Sequence, residues 1–405
     1  MTLNAAERAA LAPLDTMADT MLDQVRAWAG INSGSRNLAG LAMMADTLAE
    51  AFGGLGAISR VEPAHVEEVN PAGDVVPVFL GRNLHLRVRP EAPIRVLLTG
   101  HMDTVFGADD PFQQSRWIDR TTLGGPGVAD MKGGLAVMLA ALHAFESSEF
   151  ASGLGYEVII NSDEEVSSPG SIALLTEAAG RVQAALTYEP ALPDGTLAGA
   201  RKGSGNFSIV VRGRAAHAGR DPENGRNAIV AAADIAVRLS ELRIDGLSVN
   251  PARIDGGGPG NIVPELAILR LNIRSENHDQ QSQVLAKLRL IVMEAEARHD
   301  VSAHIHGGFN RPAKPMDAQQ KGLFNLVRVC GSDIGLAISW RNTGGVCDGN
   351  NLAACGVPVV DTMGVRGGAI HTPDEFLCVD SLVERARLST LLLMRLAQGH
   401  LKTAA

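Results

Sequence analysis

The sequence predicts an α/β layered fold with a smaller α+β unit inserted into it, on three observations. Short apolar runs alternate with helical patterns through the first half. The texture turns to strands with one wet face near residue 200, and the α/β style returns after a Gly/Pro-rich stretch at 307–315. With 405 residues and 45% hydrophobic content, the chain can bury more than one core, so two or three domains are expected.

The opening "MTLNAAERAALAPLDTMADTMLDQVRAWA" reads as one amphipathic helix, with acids scattered through it and no apolar core behind a basic start. No export signal is expected from it, and no apolar stretch is read as long enough to cross a bilayer. "IRVLLTG" (94–100) has the look of a strand buried on both faces of a parallel sheet. In "KGGLAVMLAALHAF", Leu135, Met138, Leu139 and Leu142 recur at helical spacing and predict one face packed on that sheet. "YEVII" and "AALTY" are further strands, separated by the helical "SIALLTEAAG".

The inserted part begins with "NFSIVVRGRAAHAG". In "ELAILRLNIRS", Ala267, Leu269, Leu271 and Ile273 share one side, and Arg270, Asn272 and Arg274 the other. "GRNAIVAAADIAVRLSEL" and "DQQSQVLAKLRLIVMEAEARH" supply two helices for one side of that sheet, and "HIH" (304–306) reads as strand or surface. "GGFNRPAKP" (307–315) is read as the linker back, before "AACGVPVVDTMG" resumes the first style. The expected division is 1–200 with 312–405 around an insert at 201–311.

A net charge of -9 argues against nucleic acid, whose phosphates need a basic face. The four cysteines Cys330, Cys347, Cys355 and Cys378 form no C-x-x-C pair, so neither a disulfide framework nor a zinc knuckle is expected, and a reducing cytoplasm fits.

The polar clusters fall where apolar strands end. His101 and Asp103 follow "IRVLLTG", Asp130 precedes a helix, Asp163, Glu164 and Glu165 follow "YEVII", and Glu189 follows "AALTY". In open α/β sheets the carboxyl ends of strands line the ligand crevice, so these segments should converge on one mouth. So many acids in one cleft repel one another unless cations are present, and two divalent metals would resolve that cost. Singly, each has a plainer role: a turn histidine, a helix-capping Asp130, solvated loop glutamates, a strand-ending Glu189.

The motifs "TGHMDTV", "GPGVADMKGG", "SDEEVSSPGS", "YEP", "AAHAG" and "GGAIHTPDE" together resemble the zinc-dependent carboxypeptidase and aminoacylase family, most nearly its glutamate carboxypeptidase branch. Acetylornithine deacetylase and succinyl-diaminopimelate desuccinylase also belong to that family. The resemblance runs from about residue 20 to the C-terminus. It implies a three-layer α/β/α catalytic domain with a mostly parallel sheet, and a ferredoxin-like lid that also forms a homodimer. It implies two divalent metals, zinc or else cobalt or manganese, bridged by Asp130, one held by His101 and Glu189 and the other by Glu165 and His371. Asp103 would hydrogen-bond His101 and fix its tautomer, and the Asp130–Met131 peptide would be cis. Glu164 would be the general base and acid acting on a metal-bridging water.

By the same resemblance, His217 crosses the dimer interface to steady the oxyanion in the partner subunit. Asn261 and Arg274 bind substrate, Arg274 by its carboxylate, and Gly367 and Gly368 let backbone approach the substrate. The residues alone leave His217 readable as a surface turn and Arg274 as a solvated strand charge. The chain departs from the usual pattern at Ala129, Ala216 and Cys347, the last read as a small buried residue near the cleft.

The implied reaction is hydrolysis of the amide bond of a peptide or N-acyl amino acid with a free C-terminal carboxylate, glutamate-type, releasing an acidic or other C-terminal amino acid. An N-acetyl or N-succinyl amino-acid deacylase is the alternative. A noncatalytic binding protein on the same fold would be expected to lack a ligand or Glu164, and this sequence lacks neither.

Overall fold

Residues 2–401 are described in a computed structural model. The central sheet has six strands in the order Ile58–Val61, Asn83–Val88, Gly155–Asn161, Arg95–His101, Ala184–Thr187, Val359–Val360. The first two pairings are antiparallel and the last three parallel. Side chains of successive strand residues point to opposite faces, so a run apolar at every position feeds two layers. Val96, Leu98, Val158, Ile160 and Leu186 pack into one cluster with Leu135, Met138 and Leu391. Leu97, Ile159 and Ala185 pack into another with Leu175 and Leu352. This is the three-layer arrangement.

Helix Gly133–Glu146 departs from its expected single buried face. Every residue from Gly133 to Phe145 except His143 is buried, because helices Ala18–Ala29 and Ser381–Ala397 cover the side away from the sheet. The stretches Leu38–Leu55 and Val128–Glu146 correct a second expectation, since both are long and apolar enough by composition to cross a membrane. In Val128–Glu146 the apolarity is consumed by the core, with 94% of the stretch buried. The N-terminal segment is not one helix. Pro13 cannot donate to a helical ladder, and the chain runs Ala5–Leu11, a 3₁₀ turn Ala12–Thr16, then Ala18–Ala29.

A second sheet is antiparallel throughout, in the order Ser248–Gly256, Leu266–Ser275, Gly203–Arg212, Ser302–Arg311. Helices Ala228–Ser240 and His278–His299 cover one face through Ile209, Val211, Leu269, Leu271 and Ile273. The hairpin of strands Val66–Val69 and Val75–Val78 braces the other, with Val69 against Val210 and Ile268. Residues 307–311, read as linker, are the end of a strand, so the chain leaves this sheet only at Arg311. Beside that exit Arg201 and Lys314 pair through their backbones, and both side chains reach the buried Asp361.

Candidate active site

Strand Arg95–His101 ends by delivering His101 into a site where it is almost wholly buried. Its Nδ1 lies 3.0 Å from the Asp103 carbonyl and 3.3 Å from Asp103 Oδ1. A carbonyl only accepts, so Nδ1 carries a hydrogen, and Nε2 is the nitrogen turned toward the acids. Nε2 sits 3.1 Å from Asp130 Oδ1 and 3.8 Å from Glu189 Oε1. The other oxygen of Asp130 lies 3.3 Å from His371 Nε2, which is also 3.1 Å from Glu165 Oε2. Asp130 therefore stands between two histidines, one per oxygen.

Burial opposes ionisation of Asp130, but hydrogen bonds from His101 and His371 win and depress its carboxyl far below the usual range. Burial pushes Glu165 up to about 7 and Glu164 up to about 8, and lifts Glu189 well above the usual range. Glu189 Oε1 is buried with no hydrogen-bond partner among the described residues. His101, Asp130 and Glu165 offer ligand atoms all within 4.8 Å of one another, and so do His101, Glu164 and Glu189. Two imidazole nitrogens, clustered carboxylates and one orphaned carboxylate oxygen suit a borderline cation such as zinc.

Supporting residues explain how these groups are held. Glu164 and Glu165 lie in a 3₁₀ turn whose two amides donate to the two oxygens of Asp103, each at 3.1 Å. Asp103 thus orients the acid turn as well as His101. Asp163, the third acid of that stretch, stays outside the cluster and staples its own loop, accepting from Gly170 N and Ser171 Oγ at 2.6 Å. The Asp130 loop, with its cis Asp130–Met131 bond, hangs on Glu375, which accepts from the amides of Gly127, Ala129 and Asp130.

The cluster opens into a cleft of about 600 Å³ between the two sheets. Arg274 lines it from the second sheet and donates to Asn272 Oδ1 and the Gly344 carbonyl. Cys347 is buried in its wall and starts helix Asp348–Ala354. His217 and Asn261 are exposed neighbours on adjoining loops of the second sheet, joined by Ala218 N to Asn261 O, and neither lines this cleft. Gly367 and Gly368 do not line it either. A Cβ on Gly367 would meet the Phe376 carbonyl at 2.4 Å, so its closeness serves strand packing.

Sequence reasoning missed Arg311. It is buried, its Nη2 donates to Glu164 Oε1 at 2.7 Å, and its Nη1 pairs with Asp348. Glu164 is therefore in a salt link, yet it keeps an oxygen close to His101 and Glu189. Glu375 was missed as well, although it closes the quoted "GGAIHTPDE" motif.

A sheet covered on both faces, with imidazoles and carboxylates at its strand ends and a separate antiparallel sheet beside the cleft, is a two-domain arrangement whose side chains could hold a metal ion. The chain belongs to Peptidase family M20/M25/M40, whose profile matches residues 97–395, and this family hydrolyses amide bonds. Carboxypeptidase G2 of Pseudomonas sp. (strain RS-16) is 28% identical over 337 residues, 80% of this chain and 79% of the relative. A succinyl-diaminopimelate desuccinylase of Pseudoalteromonas translucida (strain TAC 125) is 27% identical, covering 70% of this chain and 79% of the relative. Among solved structures, an M20 family metallo-carboxypeptidase, Sso-CP2 from Sulfolobus solfataricus, covers 93% of this chain and 99% of its own at 16% identity and TM-score 0.69, a likeness of fold.

Proposed function

We propose that this protein is a dinuclear metallo-carboxypeptidase, removing an acidic amino acid of the glutamate type from a peptide or N-acyl conjugate. The observation that carries the reading is that His101, Asp130, Glu165, Glu189 and His371 converge with Glu164 beside them, at the foot of a cleft walled by Arg274. Asp130 would bridge two cations, with His101 and Glu189 on one and Glu165 and His371 on the other. Zinc suits the mixed nitrogen and oxygen donors, with cobalt and manganese as substitutes. When bound, such ions polarise the scissile carbonyl and acidify water. Glu164 takes the proton from the attacking water and passes it to the leaving nitrogen. Asp103, facing His101 Nδ1, would hold the ring so that Nε2 could serve as a ligand. Arg274 grips the substrate carboxylate through its planar fork.

His217 and Asn261 lie together away from this cleft, which suits a homodimer in which each copy lends them to the other's site. The cytoplasm is the proposed compartment. An N-acetyl or N-succinyl amino-acid deacylase uses the same chemistry, and the desuccinylase relative favours keeping it as the second reading. Turnover on N-acyl glutamates, dipeptides, acetylornithine and N-succinyl amino acids, with metal content measured on the same preparation, separates the two. Cleavage of the glutamyl conjugates is expected. Metal-loaded protein that turns over only acetylornithine or N-succinyl substrates would replace the first reading with the second.

A further inference from the structure

We infer that Arg311 is a positioning residue for Glu164, delivered to it by the strand at which the chain leaves the second sheet. Strand Ser302–Arg311 ends on this residue, whose guanidinium is 1% exposed. Nη1 holds Asp348 and also donates to Asn351 Oδ1 at 2.6 Å. Nη2 grips Glu164 twice, at the backbone carbonyl at 3.2 Å and at Oε1 at 2.7 Å, and it also reaches Ser168 Oγ at 3.0 Å. The turn carrying Glu164 is therefore pinned from two sides. Asp103 fixes its amides, and Arg311 fixes its carbonyl and one carboxylate oxygen.

Asp348, at the first turn of helix Asp348–Ala354, also accepts from Ser168 Oγ and from Asn161 Nδ2. Its charge balances the arginine and fixes the plane of the fork. Because the fork is rigid, holding Asp348 on one nitrogen sets where the other presents itself to Glu164. A lysine in the same place supplies a point charge that cannot serve both acids. The residue lines the cleft, but both terminal nitrogens are engaged by protein oxygens and only the buried Nε has no partner among the described residues, so the fork acts on the reaction through Glu164.

The inference rests on Glu164 being the base, and kinetics on Arg311→Lys and Arg311→Ala test it. A proton-transfer group moved by about an ångström costs on the order of 10²-fold in rate. Both variants are expected to lose kcat by about 10- to 100-fold while KM stays within about threefold and metal content is unchanged. Added guanidinium, below unfolding concentrations, is expected to restore part of the kcat of Arg311→Ala. A raised KM at unchanged kcat would show instead that Arg311 holds substrate, and a full-rate Arg311→Lys would show that it does neither. If Arg311→Ala does not fold, because Asp348 and Glu164 are left buried without a counter-charge, the kcat against KM split of Arg311→Lys decides the matter. Glu164→Gln separates the two claims. If that variant is active, the base assignment fails; if it is inactive beside a full-rate Arg311→Lys, only this inference fails.

Discussion

Glu164 and Glu165 are neighbours with different tasks, and single substitutions tell the tasks apart. Both amides hang on Asp103, yet Glu165 faces His371 and Asp130 while Glu164 faces Arg311, with an oxygen near His101 and Glu189. Glutamine in place of Glu164 keeps the size, and its amide oxygen can still accept from Arg311, but it cannot shuttle a proton. Glu164→Gln is expected to lower kcat by about 10²- to 10⁴-fold and leave bound metal at the wild-type level, measured by elemental analysis of the purified variant. A matching loss of metal would make Glu164 a ligand, a role open to it because it forms a triangle with His101 and Glu189.

At the scale of elements, the site depends on how closely strand ends approach helix Gly133–Glu146. A Cβ on Gly134 would stand 2.0 Å from the Tyr188 carbonyl, one residue before Glu189. Backbone cannot swing aside as a side chain does, so Gly134→Ala must push that strand end. The expected cost is about 1–3 kcal/mol of stability, with weaker metal binding, read by thermal unfolding and metal titration. Gly322→Ala is the control. It sits in helix Ala318–Asp333 with nothing within 4 Å of a Cβ, and it should be neutral or stabilising by up to about 1 kcal/mol. Elements of this kind were largely legible in the sequence because burial on both faces leaves unbroken apolar runs, as in Arg95–His101 and Gly155–Asn161. The break at Pro13 was also there to be read. What local pattern could not carry was partnership across the chain: Arg311 and Glu164 are 147 residues apart, and Glu375 and Asp130 are 245 apart. The last strand of the second sheet was hidden by Gly307 and Gly308, glycines that usually mark a turn, here taken up in pairing with strand Gly203–Arg212.

For the whole molecule, the acid cluster sets how stability depends on pH, and the sign can be worked out. In the metal-free fold, burial raises Glu165 to about 7 and Glu164 to about 8, from an ordinary value of 4.5, and raises Glu189 well above it. Hydrogen bonds to Asp130 and Glu165 raise His371 to about 11, from 6.5. His101 is raised too, burial opposing the hydrogen bonds to Asp103 and Asp130 that prevail. In each case the folded chain keeps a proton that the unfolded chain has released. The contribution of Glu164 and Glu165 is therefore complete below about pH 4.5 and is lost as the pH climbs through about 8, while that of His371 is complete below about 6.5 and is lost only as the pH climbs toward about 11. Asp130 runs the other way, but its depressed carboxyl acts only below its ordinary value of 3.8, outside this window. Cations held by these groups would take the place of those protons, and metal affinity would rise as the ligands deprotonate. At a thousand-fold excess over the dissociation constant, such binding adds about 4 kcal/mol to stability. The chelator-treated protein is thus expected to melt lower at pH 8 than at pH 5.5, and the gap between metal-loaded and chelated protein should widen over that range. Calorimetry at both pH values, with and without chelator, checks it. A gap that stays constant or narrows would mean that the cluster's charge is balanced by something other than metal.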